Sequence, residues 1–249
     1  MLRDFRMTFD EQVRLWVSTA CNEWDFPNPS ETFFTKLNER LPNGLLATLG
    51  FGIEKGIVTV DGCKFKLNGM NQSKGPYNWF SRDNINRRLN PNWEYYIQVA
   101  EYVRLWRAFG NESYVLTFED ALMDIGVYKD NKLLVCCEIK EKSSQAEKLI
   151  AGIKTYQAEL DMTAPDRGND PLRKAKYIVH QRPMFFYLVA KGSAMNLVYF
   201  FQKARLLSLK RTSFLSYRPL RFITGLSSKT RRIGRNVLCW LSWNMLCYL

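Results

Sequence analysis

The stretch Leu122-Met123-Asp124-Ile125-Gly126-Val127-Tyr128-Lys129-Asp130-Asn131-Lys132-Leu133-Leu134-Val135-Cys136-Cys137-Glu138-Ile139-Lys140 holds two apolar runs around a short polar turn, Lys129-Asp130-Asn131. Each run carries one carboxylate: Asp124 in the first, Glu138 in the second. An ionised carboxylate inside an apolar strand is costly unless something compensates for it. A turn of about three residues lets the runs pair as an antiparallel hairpin, which brings Asp124 near Glu138 across the ladder. Side chains alternate along a strand, so Glu138 and Lys140 share a face and Ile139 takes the other. Two carboxylates in paired strands, with a lysine two residues past the second, fit a divalent-metal site beside a cation. Oxygen ligands suit Mg2+ (or Mn2+), which keeps several of its waters. Such an ion lowers the pKa of a bound water and offsets charge on a phosphoryl group. The lysine can orient that water or neutralise the developing charge.

The pattern Asp124, thirteen residues, then Glu138-Ile139-Lys140 resembles the PD-(D/E)xK nuclease superfamily, the restriction-endonuclease-like group, over roughly residues 90–200. The resemblance implies a core of a mixed sheet flanked by helices, and Mg2+-dependent cleavage of phosphodiesters that leaves a 5′-phosphate. It implies Asp124 and Glu138 as metal ligands, the backbone carbonyl of Ile139 as another, and Lys140 as the catalytic lysine. A Glu on the helix before the pair often completes the metal shell in this superfamily, and Glu101 and Glu94 are both candidates. Met123 stands where the motif name has proline. The RecB-type branch places a Gln about four residues before a Tyr in the following helix. Here Tyr156 is present, Gly152 holds the Gln position, and Gln157 follows.

The flanking segments read as α/β. After Lys140, Ser144 and Glu147 make an S-x-x-E capping pattern. Ala146, Leu149, Ile150, Ile153, Tyr156 and Leu160 then recur at helical spacing, with Asp161 and Pro165 where the helix should end. Before the pair, Asn90-Pro91 caps a second helix whose stripe is Tyr96, Val99, Val103 and Trp106, ending at Gly110-Asn111. Glu94, Gln98 and Glu101 lie roughly opposite that stripe. Tyr114–Phe118 reads as a first strand, and Glu119 and Asp120 after it read as the polar turn between strands, with a ligand role as the alternative. Residues 163–176 read as a loop, and Tyr177–Val179 and Met184–Ala190 as further strands. Helix, three strands, helix and further strands make an α/β layer around one mixed sheet.

Residues 1–88 read as an N-terminal helical and hairpin accessory module. Thr8 and Glu11 form a T-x-x-E cap ahead of a helix through about Glu23, and Ser30–Arg40 reads as a second helix. Pro42-Asn43-Gly44 reads as a turn. Ile57–Val60 and Cys63–Leu67 flank Asp61-Gly62, a hairpin signature, so a winged-helix-like module is one reading. Lys74, Tyr77, Trp79, Phe80, Arg82, Arg87 and Arg88 interleave basic and aromatic side chains. That pattern suits phosphate contacts with base stacking, and equally a hinge with buried aromatics. The nuclease-like core then covers residues 89–203, and residues 204–249 form a basic tail with an apolar end.

The net charge is +12 over 249 residues. A surplus of that size favours a polyanionic partner. All 24 Asp and Glu residues lie at or before Asp170, whereas Lys and Arg run on to Arg235. The final apolar run, residues 237–249, is too short to span a bilayer. A basic segment before it can contact nucleic acid, complete the core or dock on a membrane surface, and an acid-free composition also fits a non-native tail. Six cysteines show no C-x-x-C spacing and there is one histidine, His180. That leaves no zinc site, no Ser-His-Asp hydrolase and no His-based nuclease. Reduced thiols and an N-terminus unlike a signal peptide point to an intracellular protein. No G-x-x-x-x-G-K-[ST] loop is present, so no nucleotide cofactor is expected.

The expectation is a metal-dependent nuclease, endonucleolytic rather than exonucleolytic, with DNA favoured over RNA and Mg2+ or Mn2+ as cofactor. A homodimer would suit cleavage of both strands. The alternative is a non-catalytic nucleic-acid-binding protein in which the acid pair is a structural remnant.

Overall fold

A computed structural model describes residues 2–67, 75–110, 113–120, 122–190, 197–202 and 205–208. The N-terminal part contains α1 (Leu2–Trp24), α2 (Glu31–Arg40), α3 (Asn43–Glu54), β1 (Val58–Asp61), β2 (Lys64–Leu67), β3 (Tyr77–Asn78), β4 (Phe80–Asp83) and β5 (Arg88–Pro91). There follow α4 (Trp93–Phe109), β6 (Val115–Asp120), β7 (Met123–Lys129), β8 (Lys132–Lys140), α5 (Ser143–Ala158), α6 (Asp170–Gln181), β9 (Phe185–Ala190), β10 (Leu197–Gln202) and β11 (Arg205–Ser208). Lys74 and residues 209–249, the bulk of the basic tail, lie outside the described residues.

The expected mixed sheet flanked by helices forms. Its six strands run in the order β11-β10-β9-β8-β7-β6. The chain enters through the antiparallel meander β6-β7-β8. It then crosses over through α5 and α6 to β9, which lies parallel to β8, with Glu138 opposite Leu188 and Lys140 opposite Ala190. A parallel neighbour requires such a crossover, and helices are the usual solution. One face of the sheet carries Ile125, Val127, Cys137, Ile139 and Val189 in a core shared with α4. The other carries Cys136, Phe186 and Leu188 against Ala146, Ile150 and Ile153 of α5 and Ala175 and Ile178 of α6. The adjacent thiols Cys136 and Cys137 therefore point into different cores, as strand alternation requires.

Several local expectations are corrected. Tyr177–Val179 is no strand: it belongs to α6, whose buried Leu172, Ala175 and Ile178 follow helical spacing. The run is too short for its β-branched content to outweigh the Asn169 cap and a Pro in the first turn. Pro42-Asn43-Gly44 opens α3, because Leu45, Leu46 and Leu49 bury one helical face. Helix α1 begins at Leu2, ahead of the Thr8 pattern. Asn90 and Pro91 end β5, paired with Ser81 and Phe80, and α4 starts after Asn92. Gln145, not Glu147, reaches back at the start of α5, accepting from the Lys142 N–H at 3.0 Å.

The boundary at residue 88 also moves. It falls inside the β4–β5 hairpin, and one apolar cluster runs from Phe9 and Trp16 through Phe65, Trp79 and Val103 to Val189. The N-terminal helices are thus part of the same core. Gly52 of α3 is one reason they fit so closely: a Cβ there would stand 2.5 Å from Val103 Cγ2 on α4.

Candidate functional site

The hairpin β7–β8 turns on Asp130 and Asn131 alone, both at positive φ (50° and 59°), with Lys129 paired to Lys132. Two left-handed residues form the turn whose twist matches a strand pair, and Asx residues tolerate it best. A regular ladder from that turn would set Asp124 opposite Cys137. The register instead shifts by one: Tyr128 pairs with Leu133, but Val127 pairs with Val135 and Ile125 with Cys137. Leu134 is the extra residue, a β-bulge that re-aims everything beyond it. Continued one step, the shifted register sets Asp124 opposite Glu138. On the other side, Phe118↔Ile125 and Asp120↔Met123 bracket Glu119 opposite Asp124. Three carboxylates thus stand on three consecutive strands, at the end of the sheet where β8 and β9 finish.

Glu138 is buried, at 1% exposure, and meets two ammonium groups. Lys174 Nζ of α6 lies 2.5 Å from Oε2, and Lys140 Nζ lies 2.6 Å from Oε1. The Lys140 approach supplies counter-charge without alignment, so Oε1 is left with no aligned hydrogen-bond donor. Lys140 also reaches Glu94 Oε1 in the first turn of α4, at 3.5 Å. Asp124 Oδ2 accepts from the Ile139 N–H at 2.5 Å. In an extended strand N–H and C=O of one residue point the same way, so the Ile139 carbonyl faces the Asp124 side past the end of the ladder. Gln98 of α4 divides its amide between Glu119 Oε1 (2.9 Å) and the Asp124 carbonyl (3.2 Å), tying the helix to both strands.

These carboxylates feel one another. Burial, and then the charge of Glu138, push the Asp124 carboxyl well above the usual carboxylate range, against the pull of Lys140 and Lys174. Burial likewise raises Glu94, which Lys140 only partly offsets. Burial alone would pull Lys140 down, but Glu138 and Glu94 outweigh it and hold the ammonium form. Tyr95, beside Glu94, is pushed up to about 12 by burial and then by Glu119.

Asp124 therefore lies near enough to Glu138 for their charges to interact, with the Ile139 N–H on Asp124 and Lys140 between Glu138 and Glu94. Glu101 does not join them. Its carboxylate is buried with Arg104, and the Tyr187 hydroxyl donates to it at 3.3 Å from the strand face that carries Cys137. Helical spacing put Glu94 and Glu101 on one face, but seven residues of α4 carry them to different depths of the core. Among the described residues, no set of three or more His, Cys, Asp or Glu side chains closes around one point. A cation held here would take two carboxylates, a backbone carbonyl and water, the sparse all-oxygen set that Mg2+ or Mn2+ accepts. Glu138 Oε1, buried and faced by Lys140 Nζ at 2.6 Å, fits that role.

The basic and aromatic segment separates into two populations. Trp79 is 1% exposed, stacked on Trp16 (5.4 Å) and Tyr96 (4.9 Å), so it is a core residue and unavailable to a base. Phe80 is buried too. Tyr77 is half-buried, edge-on to Tyr95 and Phe118. The arginines stay outside. Arg82 lies over the Trp24 ring, Arg87 pairs with Asp25 at 2.8 Å, and Arg88 pairs with Asp83 at 2.8 Å.

Lys174 joins the site from a segment that the sequence pattern reads as a loop. The signal was present: Lys174 stands four residues before Ile178 on the buried stripe of α6. That helix is fixed at its start by Asn169, whose side chain caps Leu172 N and donates to the Tyr156 hydroxyl at 2.7 Å. It is seated against α5 at Gly152, where a Cβ would come within 2.8 Å of Pro171. Gly152 and Tyr156 thus place α6, and α6 delivers Lys174. Among the described residues no helix is long and apolar enough to cross a membrane. Compared with protein-family models, curated proteins and solved structures, the chain matches none.

Proposed function

We propose that this protein is a metal-dependent nuclease that hydrolyses phosphodiester bonds, with DNA as the favoured substrate and an endonucleolytic mode. The observation that carries the reading is the joint at Ile139: its N–H anchors Asp124, while its neighbours Glu138 and Lys140 form an ion pair at 2.6 Å. That brings two acids, a backbone carbonyl and an ammonium group to the end of β8, where the strand leaves the sheet. The resemblance of this constellation to the PD-(D/E)xK superfamily supports the same reading.

Asp124, Glu138 and the Ile139 carbonyl, with Glu94 at the rim, would hold Mg2+ or Mn2+. The ion would supply an activated water and charge neutralisation at the phosphate. Lys140 is kept protonated by its acidic neighbours, so it serves as a donor to the developing negative charge rather than as a base. Gln98 keeps α4 and the Asp124 backbone in register. Arg82, with the ion-paired Arg87 and Arg88 beside it, offers contacts for the phosphate backbone, and the acid-free residues 171–249 carry the positive surplus that favours such a polyanion.

The test is cleavage of plasmid and single-stranded DNA, and of RNA, by the purified chain with Mg2+ or Mn2+. Activity should vanish with EDTA and in Asp124→Asn, Glu138→Gln and Lys140→Ala variants that retain their circular dichroism. Parental activity in the Asp124 and Lys140 variants sinks the mechanism. One observation favours the second reading, a non-catalytic nucleic-acid binder: both Glu138 oxygens already have a lysine beside them. Salt-dependent DNA binding with no Mn2+ heat and no cleavage would establish it.

A further inference from the structure

Lys174 has no role in the reaction just described, yet it is the more deeply buried of the two lysines on Glu138, with 7% of its side chain exposed against 21% for Lys140. Its ammonium group is held at three points. Nζ lies 2.5 Å from Glu138 Oε2 and donates to the Leu122 carbonyl at 2.9 Å. One helical turn back, Asp170 Oδ1 stands 3.8 Å away. Glu138 and Asp170 differ in one respect that matters. Glu138 is sealed in the core, whereas 44% of the Asp170 side chain is exposed and it already pairs with Arg173 at 3.2 Å.

We infer that Lys174 is a resident counter-cation for Glu138, one that holds the carboxylate while no divalent ion is bound and yields it when one arrives, turning to Asp170. The inference rests on the metal reading above and concerns how that same site is loaded. A buried carboxylate cannot stand without a positive partner. With Lys140 shared between Glu138 and Glu94, Lys174 is the charge that completes the balance. A divalent ion entering at Glu138 would bring two further positive charges beside Lys174, which is unfavourable unless the ammonium moves. Asp170 gives it a partner within a side-chain rotation, along the same helix face. Lys174 is thus a positioning residue that sets how tightly the site takes its ion, and it keeps the metal-free protein folded.

The experiment is calorimetric titration of the full chain with Mn2+, in the parent, in Lys174→Met and in Asp170→Asn. Losing a unit charge at ion-pair distance should tighten Mn2+ binding in Lys174→Met by about tenfold or more. Asp170→Asn, which removes the alternative partner, should weaken it. Lys174→Met should also melt lower than the parent without metal and regain that loss with Mn2+. If the variant does not fold alone, Mn2+ added during refolding should rescue it; failure to fold with Mn2+ present overturns the inference. So does Mn2+ binding in Lys174→Met that equals or falls below the parent's. The two readings separate cleanly. A parent that binds no Mn2+ beside a Lys174→Met variant that does sustains the counter-cation and removes the nuclease. Binding in neither removes both.

Discussion

Lys174 on α6 and Glu138 on β8 are 36 residues apart in sequence and 2.5 Å apart in space. The pair bolts the crossover helix to the strand that carries the candidate chemistry. It also makes Glu138 a stability residue as well as a candidate ligand. Removing it leaves two ammonium groups facing each other in the core. Glu138→Ala should lose roughly 3–5 kcal/mol of stability, the usual cost of breaking a buried pair from one side. Urea denaturation of the metal-free protein measures this. A loss below about 1 kcal/mol, the range of exposed pairs, would mean that the contact is not buried as described.

Asp124 gives a pH signature. Its carboxyl is raised by burial and by Glu138, so the folded protein binds its proton more tightly than the unfolded chain does. Stability from this group is therefore complete below the ordinary carboxylate pKa and is lost as pH rises through the folded value. Asp124→Asn removes the titration. Relative to the parent, this variant should gain stability between about pH 5 and about pH 8, both without metal. A difference that stays flat with pH, or that reverses sign, contradicts the burial of Asp124 beside Glu138.

Gly152 tests how α6 is seated. A Cβ at this position would stand 2.8 Å from Pro171 Cβ and 3.0 Å from its Cγ. Gly152→Ala should cost about 1–3 kcal/mol through overpacking, despite the better helix propensity of alanine. Thermal melting reports it. A stabilised variant would mean that α5 and α6 can separate freely.

Trp79 separates the two readings of the basic and aromatic segment. As a core residue stacked between Trp16 and Tyr96, its truncation to Ala should cost about 3–5 kcal/mol. Trp79→Phe should leave nucleic-acid affinity unchanged. Arg82→Ala combined with Arg88→Ala should weaken binding and flatten its salt dependence, because released counterions scale with phosphate contacts. Affinity loss in Trp79→Phe with intact stability would restore the base-stacking role.

The sheet and its acid pair were legible because strand signals are local. Apolar runs, an Asp-Asn turn and a carboxylate in each run all fall within Leu122–Lys140. What stayed hidden depends on distant partners. Trp79 reads as a surface aromatic between basic residues until Trp16, Phe65 and Tyr96 are seen to enclose it. Glu101 shares a helix with Glu94, and only the depth of α4 in the core sends it to Arg104 and Tyr187. Lys174 is obscured by a polar stretch in which the Asn169 cap and the spacing of Leu172, Ala175 and Ile178 carry the helical signal.

The extra residue at Leu134 decides which chain spacing brings the two acids level. Thirteen residues separate the two acids here, and one of them is consumed by the kink in β8. A chain with twelve and an unbroken strand would bring the same two groups face to face. Deleting Leu134 should accordingly leave Mn2+ binding intact, whereas deleting Gly126, on the opposite strand, should abolish it, because it moves Asp124 a step out of line with Glu138. Distance along the polypeptide is a poor fingerprint for this geometry, because the kink as well as the turn sets which residues face each other.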